Sequence, residues 1–351
     1  MLAAGDYDLL RPVLEWASGF IPVLTARTKL LLPNGAGAGF WSTEMTNAFG
    51  LYQGQMWHGP PFTYDQCANA SARPPNYPQW LSIGGWQRWD FGGNAMGPEV
   101  GLMALDLLLH TGNLSEAARF VPLATGTLDF FAGFYKNRSA DGRVLIWPAQ
   151  VLESWWCNWP GWADCPQNDM PTVAGATALA ARLIKLPADS GLVSPAQRAT
   201  YAALAAAIPP LPRNGGLYAP ADVLSDVGPG HREVPELFAV HPFKLLTVGR
   251  AALDPTVDLS VARATWNATP NAHTNIGWYY GGIDAALLGL ANESWAMAVE
   301  RSKMPPDDGY RYDGFAPHLQ DYQPSADHYA NMQVTNIYPR ALSVRAATAP
   351  A

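Results

Sequence analysis

The residue best suited to acid–base chemistry is a carboxylate surrounded by aromatic residues. Glu153 is the only acidic residue from Val144 to Trp162, a stretch that also holds five tryptophans. An apolar environment disfavours the ionised form of a carboxyl group and raises its pKa, which suits a general acid. Glu153 is therefore a candidate proton donor. The alternative is that it begins a helix or forms a buried hydrogen bond.

A second carboxylate has a different setting near the end of the chain. Asp327 closely follows Ser325, near the start of a predicted helix, 326–347, whose dipole favours an anion at this end. Glycosidic hydrolysis requires one carboxyl group that is near neutral and another that is ionised. The alternative for Asp327 is an N-cap, a common role of Ser and Asp at a helix start.

Polar and aromatic side chains that could bind a sugar are spread over other loops. Glu44, in the segment 39–52, is a reserve acid or a ligand for a sugar hydroxyl, and His231 with Arg232 could line the same cleft. Tryptophans stack on sugar rings, but they also fill protein cores. The candidate stacking residues are Trp86, Trp155 and Trp156.

Composition and motifs exclude several classes of protein. The chain of 351 residues is 48% hydrophobic and 15% charged, with a formal charge of −7, which argues against disorder and against nucleic-acid binding. It contains no apolar run long enough to span a membrane. The histidines show no metal-ligand spacing, and no nucleotide-binding or serine-nucleophile motif occurs. We therefore expect neither a metal nor a cofactor.

The apolar residues repeat mainly with helical periodicity, which predicts an all-α fold. Pro12 fits the first turn of the first helix, Pro22 should interrupt that helix, and Ser194 with Gln197 predicts a capping box. The predicted helices are 7–29, 99–110, 115–135, 171–185, 194–208, 235–250, 260–266, 281–299 and 326–347, and the predicted short strands are 143–147 and 216–218. Long loops gathered at one end of a ring of helix pairs would make an α/α toroid with an aromatic-lined cleft.

Several segments, in this order, resemble motifs of the six-hairpin glycosidase superfamily, close to glycoside hydrolase family 95 and its uncharacterised relatives. The similar segments are LLRPVLEWASGFIPVLTARTK, GFWSTEMT, WLSIGGWQRWDFGGNAMGPEVGLMALDLLLHTGN, GRVLIWPAQVLES, HREVPELFAVHPF and PSADHYANMQVTNIYPRAL. The resemblance covers most of the chain and rests on the order and spacing of the motifs. It implies an (α/α)6 toroid and an exo-acting, inverting glycosidase.

The resemblance also implies roles for individual residues. The motif GRVLIWPAQVLES implies that Glu153 is the general acid, and the last motif implies that Asp327 polarises the attacking water. Sugar contacts are expected from Glu236 and His328, which lie within these motifs, together with His231 and its neighbour in the His-Arg segment.

The chain departs from the family pattern in two places. Where the family has further His and Ser residues on the sugar, this chain has Glu233, Pro235 and Glu236, so fucose recognition is not implied. An asparagine pair that helps the base to position water lies upstream of the first recognised helix in the family. We therefore expect residues 1–351 to form a single, N-terminally truncated toroid that lacks its first helix and any upstream β-sandwich.

Cysteines and asparagines bear on the cellular location. Cys157 and Cys165 could form a disulfide or stay as two buried thiols. Five of the 16 asparagines begin N-glycosylation sequons, against about two expected by chance. These are Asn69, Asn113, Asn137, Asn267 and Asn292. The N-terminus does not resemble a signal peptide. We expect a secreted or extracytoplasmic protein whose leader belongs to the missing upstream region.

Two other functions stay open. A polysaccharide lyase or sugar epimerase on the same toroid would transfer protons through Tyr or His, for example His231, His241 or Tyr329. A carbohydrate-binding toroid without catalysis is the non-enzymatic alternative. All three hypotheses have a carbohydrate as the partner, and none involves a nucleic acid or a membrane.

Overall fold

Helices dominate the part of the chain that the structure describes. The computed structural model describes residues 5–31, 39–42, 97–152, 154–155, 165–226, 228–229, 233–273 and 280–302. Within these ranges the strands are two short ones, which confirms the all-α class. The chain divides into two compact units. Unit 1 is Met1–Pro212 with Ala221–His231, and unit 2 is Arg213–Pro220 with Arg232–Ala351. The single toroidal domain expected from the sequence stays a prediction.

The described helices of unit 1 follow the predicted ones closely. They are α1 (Tyr7–Gly19), α2 (Ile21–Leu31), α3 (Pro98–Thr111), α4 (Leu114–Phe134), α5 (Met170–Ile184) and α6 (Pro195–Ala207). The predicted interruption near Pro22 is confirmed, since the helix is interrupted at Phe20, between α1 and α2. Pro12 was placed wrongly, because it lies inside α1, beyond its first turn.

The first helix packs against α4 through one face. Leu10, Leu14 and Ala17 are buried at helical spacing and belong to the core cluster of this unit. At the edge of the contact, Arg11 Nε donates to Glu116 Oε1 at 2.5 Å. The apolar face contributes most of the energy that holds α1 against α4, because a partly exposed ion pair contributes about 1 kcal/mol or less.

A short described segment, 39–42, is wedged against α4. The ring of Phe40 lies so close to Gly126 that a methyl group there would come within 2.4 Å of Phe40 Cε1. The backbone of the same pair is joined, because Phe40 N donates to Gly126 O at 3.1 Å. A methyl group at Gly39 would come within 2.0 Å of Phe130 N. Both glycines are therefore required by close packing.

The start of α6 shows how much one local motif determines. Ser194 is the N-cap, its Oγ accepts from Gln197 N at 3.2 Å, and the Gln197 side chain bonds back to Ser194 N. Pro195 occupies the first helical position, where it has no hydrogen bond to lose. The predicted capping box is confirmed.

Unit 2 has shorter elements. They are β1 (Arg213–Asn214), antiparallel to β2 (Leu217–Tyr218), then α7 (Val248–Leu253), α8 (Ser260–Ala268), α9 (Gly281–Leu287) and α10 (Ala291–Ser302). The buried indole of Trp266, on α8, donates from Nε1 to Gly281 O at 2.9 Å. Ser294, on α10, donates from Oγ to Gly282 O at 2.9 Å. Both bonds end on the first turn of α9, which is the centre of this group of helices.

Three sequence predictions are wrong. The helix expected over 235–250 is a 3₁₀ turn, Pro235–Leu237, followed by further turns, because Pro242 disfavours a helical residue before it and Lys244 is left-handed. The helix expected over 281–299 breaks at Gly289, which has φ 78° and ends α9. The strand expected over 143–147 makes a single bridge, from Val144 to Arg138.

Among the residues that the structure describes, no helix combines the length and apolar character needed to cross a membrane.

Candidate functional site

Three loop segments of unit 1 meet before the start of α5, and we call this region the loop junction. Its described residues are 144–152 with 154–155, 165–169, and 221–229 without 227. The first segment contains the position of Glu153, and the third ends two residues before His231. The loop junction is therefore the region in which the predicted acid and the predicted sugar-binding segment can be compared.

Asn168 ties the three segments together. Ile146 N donates to Asn168 Oδ1 at 2.9 Å, and Asn168 N donates to Ile146 O at 3.0 Å. The Asn168 amide also donates to Asp222 Oδ2 at 2.8 Å, beside a backbone bond from Gln167 N to Val223 O at 2.9 Å. One side chain thus serves both neighbouring segments, which fixes their spacing.

The backbone of Asn168 is left-handed, with φ 51°. Asparagine tolerates this conformation better than other residues with a side chain. The turn directs the chain into α5, whose N-cap is the next residue, Asp169. The strained residue, Asn168, and the N-cap, Asp169, are therefore adjacent at the start of α5.

Asp169 is a fully buried carboxyl group. Its Oδ2 accepts from Thr172 N at 2.9 Å and from Thr172 Oγ1 at 2.8 Å, which is an N-cap arrangement. Its Oδ1 is buried and has no hydrogen-bond partner among the described residues. Burial raises the pKa of Asp169 to about 7, against the hydrogen bonds from Thr172, which lower it. The capping role explains one oxygen and leaves the other for a proton or a ligand.

A tight turn brackets position 153. Val151 N donates to Trp155 O at 3.1 Å, and both Ser154 N and Trp155 N donate to Val151 O. Between them, Leu152 has φ 50°, which costs a bulky residue about 1–2 kcal/mol. The buried Gln150 amide donates to Leu152 O at 2.8 Å and holds this conformation. Such strain concentrates at functional sites, where the surroundings impose it.

The third segment contacts this turn through a glycine. A methyl group at Gly228 would come within 2.4 Å of Trp155 Cδ1 and 2.6 Å of Ser154 O. Only a residue without a Cβ fits so close to the peptide that follows position 153. Gly228 is thereby held against the turn formed by residues 151, 152, 154 and 155.

The second segment carries a covalent restraint. Cys165 is disulfide-bonded and buried. The other two cysteines of the chain, Cys67 and Cys157, lie outside the described residues. The structure therefore has a disulfide and not a free thiol at Cys165, and its pairing with Cys157 stays a prediction.

Unit 2 holds a separate group of polar residues on the segment 235–244, which we call the 3₁₀ segment. Burial raises the pKa of Glu236 to about 7, and its Oε2 has no hydrogen-bond partner among the described residues. In the same segment, the His241 ring contacts the Tyr280 ring at a centroid distance of 4.9 Å and a tilt of 52°. A carboxyl group with a pKa near 7 and an imidazole in contact with a phenol are groups that can transfer protons.

Two of the ten predicted site residues fall on described residues. Trp155 is half-buried in the loop junction, in unit 1, and Glu236 is half-buried in the 3₁₀ segment, in unit 2. Outside the described residues lie Glu44, Trp86, Glu153, Trp156, His231, Arg232, Asp327 and His328, and also Tyr329 of the lyase hypothesis. Within the described ranges, no three His, Cys, Asp or Glu residues are placed to hold a metal ion.

Sequence reasoning missed several residues that shape these regions. Asp169 had a recognisable signal, an Asp ahead of a proline in the first helical turn. Glu99, in the first turn of α3, gave none, although burial raises its pKa to about 7. Asn168 and Gly228 act on residues distant in sequence, so no local pattern could reveal them.

Comparison with known protein families gives no matching family model. Comparison with curated proteins gives no significant match either.

Proposed function

We propose that this chain is a glycoside hydrolase that removes a terminal sugar with inversion at the anomeric carbon, on an (α/α)6 toroid. The observation that carries the proposal is the contact of Gly228 with the Ser154–Trp155 peptide. Gly228, which precedes His231 by three residues, thereby lies next to the strained turn formed by residues 151, 152, 154 and 155. The motif that resembles the family's acid motif ends at Ser154, and the motif that resembles the His-Arg segment begins at His231.

Glu153 donates a proton to the leaving glycosidic oxygen in this proposal. In this proposal its carboxyl group is neutral before the reaction, because the tryptophans that flank it in the sequence disfavour its charge. Asp327 takes a proton from a water molecule that attacks the opposite face of the sugar. Inversion requires about 6.5–9.5 Å between the two carboxyl groups, which leaves room for that water. Trp155, which is half-buried, stacks on the sugar ring.

Leaving-group dependence separates the two carboxylates. Glu153→Gln should lower kcat on an alkyl glycoside by about 10²–10⁴-fold, and it should lose far less on a dinitrophenyl glycoside, which departs without protonation. Asp327→Asn should lose activity on both substrates, because both need an activated water. The exposed Asp189→Asn is the matched control and should change neither rate.

The stereochemistry completes the test. NMR of the first-formed product should show the inverted anomer. Equal losses on both leaving groups in Glu153→Gln would remove Glu153 as the acid. Oligosaccharide binding without turnover, unchanged in Glu153→Gln, would identify a non-catalytic binding module instead.

A second candidate is a polysaccharide lyase or sugar epimerase, favoured by the ring contact of His241 with Tyr280. A lyase, or an epimerase that acts on uronic acid residues, removes the proton from the carbon next to the carboxylate, and the two rings would supply the base and the acid. Incubation with a polyuronide in D₂O separates this candidate from the first. Deuterium at C5, or an unsaturated product, that disappears in His241→Gln would support it, and hydrolysis without either would reject it.

A further inference from the structure

The sequons are a pattern that the proposed function does not use. Of the five, those that begin at Asn113, Asn137, Asn267 and Asn292 lie on described residues, and all four asparagine side chains are exposed. Three of them share serine as the hydroxyl residue, so they have the same acceptor chemistry. They differ in what folding does to that serine.

We propose that the protein carries N-linked oligosaccharides at Asn113 and Asn137 and none at Asn292. In the transfer, the side-chain Nδ2 bonds to the anomeric carbon of an oligosaccharide carried on a lipid diphosphate. The bond from that carbon to the diphosphate oxygen breaks, and the proton lost from Nδ2 leaves with the lipid diphosphate. This inference is independent of the glycosidase proposal.

The side-chain oxygen of Asn113 accepts a hydrogen bond, whereas its Nδ2 makes none to the described residues. Its Oδ1 caps α4 by accepting from Glu116 N at 3.0 Å. An N-linked sugar on Nδ2 leaves this bond intact, because the modified amide keeps its carbonyl oxygen. Both Asn113 and the sequon serine, Ser115, are exposed. The site remains reachable after α4 has formed.

Asn137 lies in the loop that follows α4. Its backbone O accepts from Leu145 N at 2.9 Å, so the main chain is anchored, and its side chain is exposed. The sequon serine, Ser139, is half-buried, and its Oγ donates to an exposed carboxylate, that of Asp141. A loop position with an anchored backbone tolerates a bulky modification without repacking.

Asn292 is the contrasting case. Its own side chain is exposed, but Ser294 is fully buried and donates from Oγ to Gly282 O at 2.9 Å. The bond joins α10 to α9, which directly precedes it in the chain. Helices form within about 1 μs, whereas synthesis adds about 5–20 residues per second, so this neighbouring pair can pack while the chain is still being made. The hydroxyl needed for transfer is then unavailable.

The disulfide at Cys165 supports the same history by different chemistry. Disulfides persist in oxidising compartments, which include the secretory pathway where N-glycans are added. Neither observation depends on the other, since the sequons are read from the sequence and the disulfide from the structure.

The test uses the full chain behind a secretory leader in a eukaryotic host. Enzymatic deglycosylation in ¹⁸O-water converts each modified Asn to a labelled Asp, and peptide mass mapping reads the occupancy of each site. We expect high occupancy at Asn113 and Asn137 and several-fold lower occupancy at Asn292. Two unmodified peptides at 113 and 137 would overturn the proposal, and equal occupancy at 292 would overturn the structural selection.

Matched variants exclude a folding artefact. Asn113→Asp removes the sequon and keeps an N-cap oxygen, and Asn137→Gln removes the other sequon without touching a described side-chain bond. Each substitution should lower the apparent mass of the protein on a gel by the mass of one glycan, and secretion should continue. Ser294→Ala, which deletes the third sequon, should leave the mass of the secreted protein unchanged.

Discussion

The loop junction and the 3₁₀ segment differ in how they use most of their polar groups. In the loop junction, the side chain of Asn168 makes hydrogen bonds to both neighbouring segments, and the Gln150 side chain makes one to Leu152 O in its own segment. In the 3₁₀ segment, Glu236 is held among buried apolar neighbours and one of its oxygens has no described partner. The first region is mainly a rigid frame, with one buried carboxyl group, Asp169, where it enters α5. The second region is built around a protonatable group.

This contrast separates two kinds of importance. A rigid frame is recognised by what fails mechanically when it is changed, because lost bonds and overlaps destabilise the folded state. A stored carboxyl group is recognised by pH dependence, because removing its charge costs little or even stabilises the fold. Experiments that measure both stability and its pH dependence should therefore separate frame residues such as Asn168 from buried carboxyl groups such as Glu236 and Asp169.

The largest effect should come from filling the close contact in the loop junction. Gly228→Val would place carbon atoms against Trp155 and Ser154, and overpacking of this kind costs about 1–3 kcal/mol or more. We expect a fall in the free energy of unfolding and loss of any glycosidase activity. Gly249→Ala is the control, since no atom lies within 4 Å of its added methyl group. If the free energy of unfolding were the same in Gly228→Val, the loop junction would not be a rigid frame.

Asn168 should be next. Asn168→Ala loses the bonds to Ile146 and Asp222 and puts alanine into a left-handed backbone, together about 2–3 kcal/mol. Asn168→Gly loses the same bonds but relieves the strain, so it should be about 1 kcal/mol milder. Denaturant unfolding of the two variants gives the difference. Equal losses would show that the hydrogen bonds alone fix this turn.

The buried carboxyl groups predict a pH dependence of known sign. Folded Glu236 and Asp169 hold protons that the unfolded chain releases near its ordinary carboxyl pKa. The free energy of unfolding should therefore fall as pH rises from about 4 to 7, by at most about 1.4 kcal/mol per pH unit for each group. Glu236→Gln and Asp169→Asn should each flatten this slope, and Asp169→Asn keeps the N-cap. A slope unchanged in Glu236→Gln would show that Glu236 is ionised in the folded protein.

The smallest effect should be a gain. Lys244, in the 3₁₀ segment, has φ 55°, which a residue with a side chain adopts at a cost. Lys244→Gly should stabilise the protein by up to about 1 kcal/mol, reduced by the greater freedom of glycine in the unfolded chain. Thermal unfolding at fixed pH measures it. A clear loss of stability would mean that the lysine side chain contributes more than its backbone costs.

Local signals account for the parts of the fold that the sequence predicted. The helices α3, α4 and α5 begin and end within one residue of the predicted bounds, because periodicity and caps act over a few residues. The break at Gly289 also had a local signal, a glycine between two apolar runs, which was overlooked.

Long-range pairs explain what the sequence could not predict. The loop junction depends on Ile146 meeting Asn168 and on Gly228 meeting Trp155, and no periodic pattern encodes such meetings. The prediction for Glu153, made from its tryptophan-rich sequence, falls outside the described residues and stays a prediction. The raised pKa of Glu236 could not be anticipated, because it follows from burial within a segment whose predicted helix does not form.

The Phe40 wedge has a consequence for the history of the sequence. Its ring fills the space that a side chain at position 126 would need, so the two positions share one volume although they are far apart in the chain. In a set of homologous sequences, a ring at 40 should occur with glycine at 126, and a larger residue at 126 with a small one at 40. Positions 40 and 126 should therefore show correlated substitution among homologues, because the side chains at the two positions occupy the same space.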